Sequence, residues 1–422
     1  MVDVRPFRAL RPKADLVKLI AALPYDVVDR QEARKFIEDN PLSFLRVTRP
    51  EATLPDNVAE TDPQVYATAK ANLEAYVENG QLVQDSVPYY YIYRQQMGAY
   101  IQIGLVATAS VEEYAENIIK KHELTREDKE LDRIKHITAT QAQTGPIFLA
   151  YKSKGLLTAL LLKYMSNHKP VYDFTADDGI MHTLYVVNDP VRIKEITDIF
   201  SHDVPNLYIA DGHHRSAAAL KVAQELSQRP GQTGQEEYKR FLAVIFPDNM
   251  LHILAYNRVV KDLNGLTTEE FRQKVEEKFI VSPLDNDPTP QVAHTFAMYL
   301  AHKWYRLAAK EGTFDQEDPI NSLDVSILQN NLLTPILGIN DPRRDKRISF
   351  VGGIKGLKAL EKKVNDGKYA VAFAMYPTSM EELMAVADSN RIMPPKSTWF
   401  EPKLRDAMTI HLIGDEQDDK SV

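Results

Sequence analysis

The stretch IADGHHRSAAAL, Ile209 to Leu220, gathers a carboxylate (Asp211), two imidazoles (His213 and His214) and a guanidinium (Arg215) around one glycine. Asp211-Gly212 reads as a turn. The Ala-rich run from Ser216 to Leu226 reads as a helix. The three basic side chains therefore fall at a helix start, which carries roughly half a positive charge, and each cation there costs a few tenths to about 1 kcal/mol. A bound anion reverses that penalty. Helix-start amides, including that of Ser216, bind phosphate or carboxylate. Arg215 adds a bidentate fork, and a histidine can donate to a further oxygen. Gly212 lets a ligand approach the backbone, and Asp211 is a candidate ligand for a cation that accompanies a polyphosphate. The alternative is a plain turn followed by incidental helix residues. A metal centre made of His213 and His214 is a poor fit, because neighbours on a helix point about 100° apart.

The elements around this stretch must position it. NLYIADG reads as a buried strand, so the polar residues sit on a strand–turn–helix. Upstream, GPIFLAY (Gly145 to Tyr151) is a compact apolar strand. PYYYIYRQQMGAYIQIGLVATAS reads as two strands around a turn at Gln96 to Gly98, and YDFTADDGIMHTLYVVND as a strand pair. Helices are expected over DRQEARKFIEDNP, Asp62 to Asn79, VEEYAENII and DPVRIKEITDIFSH. SFLRVTRPE reads as a strand running into a loop, and FLAVIFPDNMLHILAYNRVV as a β-hairpin. RISFVGG, IKGLKALEKKVNDG, YAVAFAMYP and SMEELMAVADSN alternate strand and helix, and AMTIHLI closes the chain as a strand. The fold class is α+β, a mixed α/β chain with mixed sheets. Its length suits two regions, 1–250 and 251–422.

Composition narrows the function classes. The chain has 422 residues, 44% hydrophobic and 26% charged, which is ordinary for a soluble globular protein. It has no cysteine, which removes disulfides, thiolate nucleophiles and Cys-based zinc sites. The net charge of -8 argues against a nucleic-acid or anionic-membrane surface. No run approaches the roughly 18 apolar residues of a membrane span, and the N-terminal MVDVRPFRAL places charges where a signal peptide needs an apolar region. A cytoplasmic protein acting on a small molecule is expected. A homodimer is compatible with the sequence.

YIADGHHRSAAAL resembles the strand–turn–helix of the ParB/sulfiredoxin-like superfamily, where such a segment holds nucleotide phosphates. Over nearly its whole length the chain is identified as a member of the family called domain of unknown function 1015, sometimes labelled Spo0J- or ParB-like. The segments that carry this resemblance are RPFRALRP, PYDVV, NPLSFLRVTRPE, HELTREDKELDR, GPIFLAY, ADGHHR, LDVSILQNNLL and PTSMEELMAVADSNRIMPPKSTWFEPKL. The superfamily includes free serine kinases, which phosphorylate a hydroxyl using a nucleotide and Mg²⁺, with a glutamate upstream of the phosphate motif as base. His122-Glu123 resembles that glutamate segment. The sulfiredoxin reaction is excluded, because its cysteine is absent.

The resemblance implies a nucleotide (ATP or ADP, with CTP as a further option) and Mg²⁺. It implies a catalytic set of Glu123 as base with His213 and Arg215 at the phosphate. Asp211 or Asp132 is the candidate Mg²⁺ ligand, and Arg5, Asp26, His122 and Arg133 are candidate pocket residues. In MPPKSTWFEPK, two prolines enforce an extended backbone, after which Lys396, Ser397 and Thr398 either face an anion or form a rigid turn anchored by Trp399 and Phe400. Arg5 and Asp26 either line the pocket or pair with each other. Three functions follow: a small-molecule kinase acting on a serine-like hydroxyl, a ParB/Spo0J-like nucleotide-binding regulator without catalysis, and a scaffold.

Overall fold

The computed structural model describes residues 1–414. The chain divides into two compact units. The first holds Met1–Leu251 and takes the chain up again from Pro402, and the second holds His252–Glu401. The residues from Pro402 on, which the sequence groups with the C-terminal region, thus belong with the N-terminal one.

The first unit is built on a nine-stranded mixed sheet. Its order is Ile119–Lys120, Leu207–Asp211, Ile147–Tyr151, Arg240–Pro247, Tyr100–Ser110, Tyr90–Met97, Met181–Val187 and Tyr172–Thr175, with Val4–Arg5 pairing to Tyr100–Ser110. Arg240–Pro247 runs parallel to Ile147–Tyr151, and Leu207–Asp211 runs antiparallel to it. The central strands are buried along their length, which is why they read as continuous apolar runs rather than alternating ones.

The strand Leu207–Asp211 and the helix His213–Leu226 form the expected strand–turn–helix. Its register against Ile147–Tyr151 shifts between Ile209 and Asp211. Such a bulge re-aims the side chains beyond it. The helix buries Ala217, Ala218, Ala219, Val222, Ala223 and Leu226, and small residues at these positions let it lie close on the sheet. Beside it lies Glu127–Thr140, with Glu127, Asp128 and Glu130 in its first turn, where carboxylates are favoured. Glu130 reaches across to Lys221 at 2.5 Å.

The second unit carries a six-stranded antiparallel sheet. Its order is Phe279–Leu284, Lys303–Ala309, Thr295–Leu300, Val371–Ala374, Tyr256–Val260 and Ile348–Gly352. Ala301 and His302 both take positive φ at the tight turn between Thr295–Leu300 and Lys303–Ala309. The helices Leu357–Asn365 and Met380–Asp388 fall in the expected alternation with strands.

Two expected strands take other forms. SFLRVTRPE folds as the helix Leu45–Thr48 and the 3-10 turn Pro50–Thr53. Its Phe44, Leu45 and Val47 are all buried in one apolar cluster, so packing overrides the strand propensity of the segment. FLAVIFPDNMLHILAYNRVV is not a hairpin. Arg240–Pro247 joins the first unit's sheet and Tyr256–Val260 the second's. The chain changes unit between them, at Leu251.

Candidate functional site

Gly212 is the N-cap of the helix, in the left-handed region at φ 102°, and no side chain caps the turn that follows. A Cβ there would meet the Arg215 guanidinium at 3.3 Å. Glycine is therefore required twice, for the dihedral and for the space. Ser216 is buried, and its hydroxyl donates back to the Gly212 carbonyl at 3.1 Å.

This helix start opens into a small polar concavity lined by Tyr25, Asp26, Glu123, Asp211, Gly212, His213, His214 and Arg215. Its enclosed space is about 40 Å³. That is room for one small polar group, well short of the roughly 300–1,000 Å³ of pockets that enclose a drug-sized ligand. Of the residues singled out from sequence, Glu123, Asp211, Gly212, His213, His214, Arg215 and Asp26 meet here. Glu123 lies in the loop before Glu127–Thr140, and its Oε2 stands 4.0 Å from Nδ1 of His213.

The charges are ordered. The Arg215 guanidinium is mostly buried and donates to the Pro146 carbonyl. Burial alone would weaken its charge, but Asp26, Asp211 and Asp406 outweigh that and raise its pKa. Asp211 accepts from the Lys403 ammonium at 2.9 Å. Burial opposes ionisation of Asp211, yet Lys403 and Arg215 together hold it well below the usual carboxylate range. His213 is 5% exposed, and burial drives its pKa well below the usual value, so it is a neutral ring at pH 7. His214 is also lowered, chiefly by burial, and its Nε2 accepts from the Arg126 amide at 3.1 Å. His214 thereby holds the loop that carries Glu123. His122 is 2% exposed and pushed down to about 4 by burial, and its ring meets that of His213 edge-on at 4.5 Å.

A second small cavity, lined by Tyr25, Arg133, His136, Gln143, Thr144, Arg215 and Asp406 among others, shares Tyr25 and Arg215 with the first. Arg133 stacks over the Tyr25 ring at 3.8 Å and binds Asp132 through Nε and Nη2. Burial pushes Asp406 up to about 7.

Several sequence assignments fall elsewhere. Arg5 pairs with Asp3 at 3.0 Å and lines a different cleft, so it neither joins Asp26 nor borders the concavity. The two carboxylates expected to hold Mg²⁺ take other partners in this structure. Asp211 is held by an ammonium, whereas Asp132 takes Arg133 and the Tyr66 hydroxyl and is not among the lining residues. Lys396, Ser397 and Thr398 belong to the second unit. There Ser397 donates its hydroxyl to the Pro394 carbonyl, and the Lys396 ammonium lies 5.5 Å over the Tyr256 ring. Trp399 meets the same ring at 5.1 Å. This is the rigid-turn alternative.

Sequence reasoning missed Tyr25, Lys403 and Asp406. Lys403 ends the same MPPKSTWFEPK stretch in which Lys396 drew attention.

The fold and the concavity define a mixed α/β protein whose candidate site is a glycine-started helix N-terminus bordered by one arginine, two histidines and three carboxylates. The chain belongs to the family described as Protein of unknown function (DUF1015), whose pattern matches residues 4–326. The matched residues end before the PTSMEELMAVADSN segment. A comparison with curated proteins found no match. Similar solved structures include a conserved hypothetical protein from Pyrococcus furiosus, 14% identical, covering 73% of this chain and 95% of that one at a TM-score of 0.36. A free serine kinase in complex with AMP is 14% identical and covers 72% of this chain and 92% of its own, at 0.34. SbnI with a C-terminal truncation, from Staphylococcus aureus, is 12% identical and covers 73% and 87%, at 0.38. Among the described residues, no helix is long and apolar enough to cross a membrane.

Proposed function

We propose that this protein is a nucleotide-dependent phosphotransferase that phosphorylates the hydroxyl of a small, serine-like metabolite. The supporting observation is that Glu123 and Arg215, far apart in sequence, border one small concavity at an uncapped helix start. The enclosed space suits the transferring phosphoryl group, with the nucleoside lying outside it. Helix-start amides and Arg215 neutralise charge on the phosphate oxygens. The acceptor oxygen attacks the terminal phosphorus, the bond from phosphorus to the bridging oxygen breaks, and the shortened nucleotide leaves. The acceptor proton passes to the Glu123 carboxylate. His214 holds the loop that carries that carboxylate through the Arg126 amide, and Nδ1 of His213 lies 4.0 Å from it. Lys403 neutralises Asp211 at the end of the strand that leads into the helix. The proposal includes kinship with the ParB/sulfiredoxin-like superfamily and a cytoplasmic setting.

The test is a thermal-shift screen of ATP, ADP and CTP, each with Mg²⁺, followed by phosphate-transfer assays across amino acids and sugars. The reading predicts stabilisation by at least one nucleotide and transfer to a hydroxyl acceptor. Binding without transfer to any acceptor favours the regulator, and no binding at millimolar nucleotide overturns the proposal.

A further inference from the structure

His122, Glu123 and His213 form a cluster that the phosphotransferase reading only partly uses. One donor atom from each lies within 4.8 Å of the other two. Both imidazoles are buried, and each keeps a ring nitrogen without a hydrogen-bond partner: Nδ1 of His122 and Nε2 of His213. A buried polar atom left unsatisfied costs about 1–3 kcal/mol. The two rings stand perpendicular with centroids 4.5 Å apart, and Nδ1 of His213 faces the Glu123 carboxylate at 4.0 Å, so a common partner for the cluster is called for.

We propose that these three residues bind a divalent transition-metal ion, with Zn²⁺ the best match. The other nitrogen of His122 is hydrogen-bonded to the Ile209 backbone. That bond fixes the tautomer, because Nε2 carries the proton and Nδ1 presents its lone pair. Ligating histidines are commonly oriented by such a carbonyl. The donor set is two imidazoles and one carboxylate, which suits Zn²⁺ and its neighbours in the first transition row and not the oxygen-seeking Mg²⁺ or Ca²⁺. Tetrahedral ligands about 2.1 Å from zinc lie about 3.4 Å apart, so the cluster needs a contraction of roughly 1 Å. The Glu123 side chain, 42% exposed, supplies that movement. The two histidines are fixed and the glutamate lies at the concavity, so the remaining coordination position faces solvent or substrate. The metal site overlaps the phosphotransferase site at Glu123 and His213 but is argued from other observations. Because the two share Glu123, an ion held there removes the carboxylate from proton transfer.

The test uses the full chain, stripped with a chelator and titrated with Co²⁺, which reports nitrogen–oxygen coordination by visible absorption. One equivalent of Co²⁺ should develop the spectrum, Zn²⁺ should displace it, and a hundredfold excess of Mg²⁺ should not. His213→Gln should weaken affinity at least about 100-fold and Glu123→Ala at least about tenfold, with circular dichroism confirming the fold. Glu123→Ala lies at a half-exposed position and so keeps the test open if the histidine variant fails to fold. No spectrum from wild type, affinity unchanged in Glu123→Ala, or equal displacement by Mg²⁺ would each overturn the site. None of these readouts involves nucleotide, so failure of the metal site and failure of the transferase reading are distinguishable.

Discussion

The ammonium of Lys403 lies 2.9 Å from the Asp211 carboxylate, joining the re-entrant C-terminal segment to the end of the strand that starts the site. Both side chains are partly exposed, so the pair is worth about 1–2 kcal/mol rather than the larger value of a dry ion pair. Lys403→Met should lower stability by about that amount in chemical denaturation at pH 7. The depressed pKa of Asp211 contributes stability present above its unfolded value of 3.8 and lost as pH falls through the lower folded value. The difference between variant and wild type should therefore shrink in acid. An equal loss at pH 7 and in strong acid would mean that packing, not charge, makes the contact matter.

Gly212→Ala introduces a methyl group at φ 102°, 3.3 Å from the guanidinium of Arg215. Adopting that backbone region costs an alanine about 1–2 kcal/mol. The variant should lose that much stability and should also bind nucleotide more weakly, because Arg215 must shift. Nucleotide affinity equal to wild type in a folded Gly212→Ala protein would show that the turn serves the fold alone.

Arg215→Ala removes a charge-assisted fork worth roughly 1.5–3 kcal/mol per hydrogen bond to a charged partner. Nucleotide affinity measured by calorimetry should fall at least about tenfold. Arg215→Lys should recover only part, since an ammonium cannot reproduce the fork. Full recovery in the lysine variant would leave net charge as the only requirement.

In the second unit, burial pushes Asp324 up to about 7. One carboxylate oxygen accepts from the His294 amide at 2.7 Å and the other has no partner. The folded state therefore keeps a proton that the unfolded chain releases near pH 3.8. Between about 4 and 7 the native state binds more protons, so this group costs the protein stability as pH rises, by about 1.4 kcal/mol per pH unit at most. Asp324→Asn should remove that slope and be the more stable protein at pH 8, as read from denaturation midpoints across pH. A variant with the same pH dependence as wild type would contradict the assignment.

The parts of this molecule that were legible in sequence are those fixed by neighbours along the chain. Ile209 to Leu220 announces its strand, turn and helix because Gly212 and the alanines set backbone and packing locally. The alternation from Ile348 to Asp388 is legible for the same reason. Leu45 to Thr48 reads as a strand because β-branched and aromatic residues signal one, while its surroundings are an apolar cluster drawn from helices, short strands and the returning C-terminal segment. Lys403 reaches Asp211 and Asp406 reaches a cavity of the first unit only because the chain returns there at Pro402, and no local pattern encodes a return from so far away. Glu123 stands out in sequence through its resemblance to a kinase motif, but the orphaned nitrogens of His122 and His213 emerge only once the rings are packed.

The central claim is that Glu123 takes the proton from an acceptor hydroxyl while the helix start holds the phosphate. Glu123→Gln keeps the shape of the side chain and removes the base, so the two roles separate in one protein. Nucleotide affinity and transfer rate should be measured together on wild type and Glu123→Gln, with the acceptor found in the screen. Affinity within about threefold of wild type, with transfer slowed by about 10²–10⁴, is the predicted result, since that is the range general-base catalysis contributes. Transfer at the wild-type rate by Glu123→Gln would contradict it.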